Sequence, residues 1–164
     1  MIRKSLAALL FALALPAAAQ SVVPAANYSD IWWNPDESGW GVTFTQHPTS
    51  NQVFAVWYTY DPRAADATSP GNFKPLWFVM PGGVWNTPTQ ITGNVFVTLG
   101  TPFGQAWNPT ALGVTQVGTF TFNFSSTSTG TFQYNIASIG TPSPTPGVGM
   151  PSFSGTKQIQ RQPF

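Results

Sequence analysis

The sequence predicts an all-β protein: an antiparallel up-and-down meander of about seven or eight strands, closed as a barrel or folded as a sandwich. Three observations carry this expectation. Apolar residues recur with period two after residue 30. Gly, Pro, Asn and Ser punctuate the runs at short intervals, and no stretch beyond the first twenty residues has a helical period.

The elements follow in order. Trp40, Val42 and Phe44 alternate with Gly41, Thr43 and Thr45, and "HPTSN" (47–51) makes a turn. "QVFAVWYTYD" (52–61) is the next strand, then "PLWFVMPGG" (75–83), closed by Pro-Gly-Gly. "QITGNVFVTLG" (90–100) ends in Gly. In "VGTFTFNFS" (117–125), Phe120, Phe122 and Phe124 share one face while Thr119, Thr121 and Asn123 share the other. After "SSTSTG", the run "TFQYNI" (131–136) puts Phe132, Tyr134 and Ile136 on one face, and "GTKQIQRQ" (155–162) is the last strand. Two connections are long and rich in turn residues, 62–74 and 138–155. A third, 101–113, is more aromatic and is expected to pack on the body.

The first residues read as a leader rather than as fold. Arg3 and Lys4 precede an apolar run from Leu6 to Leu15, and Ala17-Ala18-Ala19 supplies a small-residue cleavage pattern. The division expected is a signal peptide over 1–19 and a single β domain over 20–164. The protein is then exported, periplasmic or extracellular, with no membrane span after the signal is removed. Without the leader, Arg63, Lys74, Lys157 and Arg161 face Asp30, Asp36, Glu37, Asp61 and Asp66, one more acid than base. That balance offers no basic face for nucleic acid. Charged residues make up 7% of the chain, against about 25% in ordinary domains. Solubility rests on Thr, Ser, Asn and Gln. There is no cysteine, so the core must supply the stability without disulfides.

The densest stretch is "WWNPDESGWG" (32–41). Asn34-Pro35 starts a turn, Gly39 can adopt the left-handed conformation that closes it, and Trp40 opens the next strand. Asp36 and Glu37 are adjacent carboxylates. Glycoside hydrolysis needs two carboxylates about 5–9 Å apart across the scissile bond, and neighbouring turn residues point different ways. Other chemistries have less support. His47 is the only histidine, so Ser38, His47 and Asp61 make a triad on paper without a nucleophile-elbow motif. Zinc lacks a ligand set, calcium lacks a loop signature, and no glycine-rich phosphate loop precedes a helix.

The aromatic residues speak more strongly. In 53–60 and 76–80 both faces are apolar: Phe54, Val56, Tyr58 and Tyr60 oppose Val53, Ala55 and Trp57, and Trp77 and Val79 oppose Leu76, Phe78 and Met80. The second face must be covered by the chain's own loops, by the segment around Trp32 and Trp33, or by a ligand or partner. Consecutive extended residues point to opposite sides, so at most one of Trp32 and Trp33 enters the core.

These stretches carry a resemblance. A start like "YSDIWWNPDESGWGV" (28–42), a strand like "FAVWYTYD" (54–61), "PLW" (75–77), a G-x-x-F-G-like 100–104 and an ending like "KQIQRQ" (157–162) are similar to a group of small exported bacterial proteins marked by a WWNPxESGWG-type motif, with no function assigned. The likeness covers nearly the whole chain after the leader, and departs from the group in its longer 62–74 and 138–155 loops. It implies a single exported β domain and carries no activity over.

The reading reached is an exported, non-catalytic binding or interaction module with an aromatic patch, directed to a glycan or an envelope protein. Its candidate binding residues are Trp32, Trp33, Asp36, Glu37, Trp57 and Trp77; no catalytic residue, metal or cofactor is assigned. Two readings stand beside it: a structural or assembly protein whose motif is only a fold signature, and a carbohydrate-active hydrolase using Asp36 and Glu37.

Overall fold

Eight antiparallel strands run in sequence order and close on themselves as a barrel. They are β1 (Asp30–Trp33), β2 (Gly41–Gln46), β3 (Val53–Tyr60), β4 (Pro75–Thr87), β5 (Gln90–Leu99), β6 (Gly113–Phe124), β7 (Thr129–Ile136) and β8 (Phe153–Arg161). The computed structural model describes residues 21–63, 74–137 and 149–164. The expected leader, 1–19, and parts of the two long loops lie outside the described residues.

Seven strands fall where the alternation places them. The eighth, β1, is four residues long, too short for a period to declare itself. It closes the barrel by pairing with β2 on one side and with β8 on the other, through Trp32 opposite Arg161 and Trp33 opposite Gln160. Mouthward of Gln160 there is no further β1 pairing. The Pro81-Gly82-Gly83 sequence does not end β4 as expected. Gly82 has φ 79°, and the register with β5 shifts between Val79 and Val84. A left-handed glycine here inserts a bulge, and the strand continues to Thr87.

Inward residues fill the barrel with rings. Phe44, Phe78, Phe120, Phe122, Phe132, Trp32, Met80 and Ile91 are fully buried. Phe122 stacks on Phe132 at 5.0 Å, and Tyr28 stacks on Phe124 at 4.0 Å. Most outward residues of β6 to β8 are polar, Thr119, Thr121 and Asn123, then Thr131, Gln133 and Asn135, then Ser154, Thr156, Gln158 and Gln160, with Val114 at the start of β6 an exposed exception. Over most of β6 to β8 an apolar lumen thus backs a polar outer face, whereas the outer face of β3 and β4 carries half-exposed rings, among them Phe54, Tyr58 and Trp77.

Strand alternation sends the β1–β2, β3–β4, β5–β6 and β7–β8 connections to one end, here called the mouth. The expectation that 101–113 packs on the body does not hold. Phe103 is fully exposed, and Trp107 and Leu112 are 64% and 55% exposed. The loop holds its own shape instead. Thr101 Oγ1 bonds to Asn108 through both the amide and the carbonyl, and Asn108 caps a short 3-10 turn, Pro109–Ala111.

Candidate functional site

The corner between β1 and β2 sets one wall of the mouth. The Asn34 side chain accepts from the Asp36 amide at 2.9 Å, and the Asn34 carbonyl accepts from the Glu37 amide at 3.1 Å. Pro35 sits between them with a fixed φ. Gly39, at φ 110°, then redirects the chain into β2. This local turn chemistry lifts Glu37 over the barrel end and brings Trp40 in beside it.

On the opposite wall, β8 presents Lys157 inward, opposite Phe132 of β7. The Lys157 Nζ donates to Glu37 Oε1 at 2.9 Å and lies 2.8 Å from Oε2. The Trp40 indole N–H donates to the same carboxylate at 3.3 Å. The ammonium bond, aided by the Trp40 bond, holds the Glu37 carboxyl below its ordinary range and outweighs desolvation. The same bond raises Lys157. Where β1 is too short to pair along β8, these side chains of the corner complete the seam.

Below this bridge lies a cavity of about 200 Å³ lined by Glu37, Trp40, Trp57, Thr59, Phe132, Tyr134 and Lys157. Trp57 is its ring-rich floor. It stacks on Phe78 at 5.3 Å, tilts against Tyr134 at 4.8 Å and meets Phe132 edge-on at 5.3 Å. Tyr134 has room because Gly155 is opposite it in register; a Cβ there would meet the tyrosine oxygen at 2.5 Å. The Trp57 Nε1 is buried without a hydrogen-bond partner among the described residues, an arrangement that costs stability unless something accepts from it.

The six residues singled out from the sequence separate. Glu37 and Trp57 come together in this cavity. Trp32 is fully buried, and its indole N–H donates to the Tyr28 carbonyl at 2.9 Å. Arg161 caps its ring at 5.3 Å. So placed, it has no face for a ligand. Trp33 follows it on the outward side of β1, partly buried, with an indole N–H that also lacks a partner among the described residues. Asp36 is exposed at the corner. Trp77 lies on the outer wall, opposite Tyr58 in the β3–β4 register; the two are each 51% exposed. Phe54 and Tyr60 on the same outer face are 47% and 50% exposed, so the chain's described loops do not cover it.

Trp40, Thr59, Phe132, Tyr134 and Lys157 complete the cavity and were not singled out. Lys157 left a trace in the sequence. It shares strand parity with Ile159 on an alternating strand, which makes it a lysine at an inward position. The paper triad disperses, because His47 follows β2 at the far end from Ser38 and Asp61. There its Nδ1 accepts from the Thr49 and Ser50 amides of its own turn. Asp61 is paired with Arg63 at 2.7 Å. Among the described residues, no three His, Cys, Asp or Glu side chains gather in a way that could hold a metal ion.

No family model, curated protein or solved structure matches this chain.

Proposed function

We propose that this protein is an exported, non-catalytic binding module that takes a single neutral sugar residue of a glycan into the mouth of its barrel. The observation that carries the reading is the chemistry of the cavity. Flat rings line it, and its two charges cancel each other across 2.8 Å. A pyranose ring has apolar C–H faces that stack on Trp and Tyr, and a rim of hydroxyls that need donors and acceptors. Glu37 accepts, Lys157 donates, and Thr59 and the Tyr134 hydroxyl do both. A few polar groups converging in a mostly apolar concavity is the common form of a small-ligand site.

Binding rather than hydrolysis is favoured by the state of Glu37. A glycosidase acid must hold its proton, and its partner carboxylate must flank the bond. Lys157 keeps Glu37 charged, and Glu37 is the one carboxylate among the described residues lining the cavity. Export, to the periplasm or outside the cell, is supported by the charged start, apolar run and Ala-Ala-Ala of residues 3–19.

The test is a glycan array followed by calorimetry and tryptophan fluorescence, since Trp40 and Trp57 both line the cavity. A neutral glycan should bind and shift the emission. Lys157→Met should lose that binding while keeping its thermal melt, because the Lys157 and Glu37 side chains are 37% and 40% exposed. Absence of binding across the array refutes the reading. Release of shortened sugars by the wild type, lost in Glu37→Gln, replaces it with the hydrolase.

A further inference from the structure

The outer wall beside the mouth carries a second aromatic surface that the cavity does not use. Gly41 of β2, Tyr58 of β3 and Trp77 of β4 stand on one rung of the sheet, each opposite the next in register. Glycine contributes no side chain between Tyr58 and β1, where Trp33 is the outward residue, and Trp77 is the registered neighbour of Tyr58 on the other side. Both rings are half exposed. Two residues nearer the mouth, roughly 7 Å along the strand, Tyr60 presents its ring to the same side.

The 36–41 corner joins this rung to the cavity without a break. Glu37 and Trp40 line the cavity. Gly39, between them in sequence, sits against Tyr60; a Cβ added there would be 3.5 Å from that ring. Gly41 then enters the rung opposite Tyr58. A side chain larger than hydrogen at 39 or 41 would raise a ridge between the two places. As built, the rim is a low saddle. The strands on either side are also uncharged: from Pro75 to Thr156 the chain has no Asp, Glu, Lys, Arg or His. The charges at this end flank the strands rather than lie on them: Asp36 is exposed on the corner, and Asp61, paired with Arg63, follows Tyr60.

We infer that the Gly41–Tyr58–Trp77 rung is a subsite for the residues of the same neutral glycan that follow the one held in the mouth, so that the ligand is a chain end of about three sugars rather than a free monosaccharide. The inference rests on the mouth being a sugar site. Its distinctive consequence is length dependence. Residues seated on half-exposed rings add affinity only when the chain is long enough to cross the saddle at Gly39.

The experiment is calorimetry with chitin, cellulose and maltose-type oligomers of one to about six residues, using the protein as its host produces it and two outer-wall variants, Trp77→Ala and Tyr58→Ser. Affinity for a binding series should rise by about tenfold or more between one and three residues and then level. Trp77→Ala should remove that rise and leave the single-sugar affinity unchanged. Both altered side chains lie outside the core, so melts matching the wild type should accompany the loss, and Tyr58→Ser supplies the check if Trp77→Ala fails to fold. A flat length profile, or a rise that survives both substitutions, overturns the subsite and leaves the mouth site standing. Failure of every oligomer to bind at any length overturns both.

Discussion

Arg161 holds the barrel shut, and its removal tests how. The side chain is about three-quarters buried, 28% exposed, and has four partners. Its Nη1 donates to Asp30 at 3.0 Å, Nε to the Thr127 carbonyl at 2.9 Å, and Nη2 to the Asn27 carbonyl at 3.1 Å. The guanidinium also lies 5.3 Å from the centre of the Trp32 ring. A partly exposed ion pair is worth up to about 1 kcal/mol. Each net hydrogen bond contributes about 0.5–1.5 kcal/mol, and a cation–π contact adds about 0.5–1 kcal/mol. Because one side chain makes all four contacts, the contributions are not additive, and Arg161→Ala should cost about 2–3 kcal/mol. For a domain of this size that is a fall of roughly 5–10 °C in Tm. Far-UV circular dichroism reads the melt. Hydrogen exchange reads the place: the amides of β1 should open faster than those of β3 and β6, because the β1–β8 seam has two registered pairs while β5 and β6 share ten. Lys157→Ala, on the same strand at the mouth, serves as control and should change Tm little. A melt within about 1 °C of wild type, or exchange that rises evenly over all strands, would show that the seam does not depend on this arginine.

Three further expectations concern the corner and its neighbours. Gly39→Val should destabilise by about 1–3 kcal/mol, because a β-branched residue is forced to φ 110°; a melt identical to wild type rules that out. Trp32→Ala should cost about 3–5 kcal/mol as a core truncation, and Trp33→Ala clearly less, with equal losses in the two melts contradicting the in–out assignment. Ligand binding should be pH-independent across the neutral range. Glu37 is lowered in the folded protein by its bond to Lys157, so its charge persists below its ordinary value of 4.5 and is lost to binding only as pH falls through the lower folded value. Lys157 is raised by the same bond, so its charge persists above its ordinary value of 10.5 and is lost only as pH climbs through the higher folded value. A binding titration with a midpoint near neutrality would mean another group controls the mouth.

The parts of the fold visible in the sequence were those with a local cause. Phe120-Phe122-Phe124 and Phe132-Tyr134-Ile136 alternate because one side of each strand faces rings and the other faces water, so type and orientation of β6 and β7 follow from spacing alone. The bulge at Gly82 misled because glycine marks a strand end and a bulge with the same residue. β1 was hidden because its pairing partner, β8, is at the other end of the chain. The site divided the same way. Glu37 stood out through its turn, and Trp57 through a two-faced strand. Lys157 is 120 residues from the carboxylate it grips, a separation over which spacing carries no information. Parity grouped Trp57 with Val53 and Ala55 and Trp77 with Val79, but with both faces apolar it could not say which one is the lumen, and which wall a ligand uses depends on the corner's shape.

The seam also dictates an order of events. Every strand pair from β1–β2 to β7–β8 joins neighbours in the chain, whereas β1 and β8 meet across 131 residues, as the Asp30–Arg161 contact measures. Closing so long a loop from a disordered chain is unfavourable, but a growing meander carries its two ends around toward each other. Closure is therefore expected last, from a curled sheet with an unpaired strand along each side, an order that stopped-flow tryptophan fluorescence of Arg161→Ala against wild type would read. Such edges pair with any strand they meet. At high protein concentration another molecule's β1 competes with the chain's own for β8, so refolding should divide between monomeric barrels and strand-exchanged assemblies in proportion to dilution, with Trp32 and Arg161 meeting across either kind of joint.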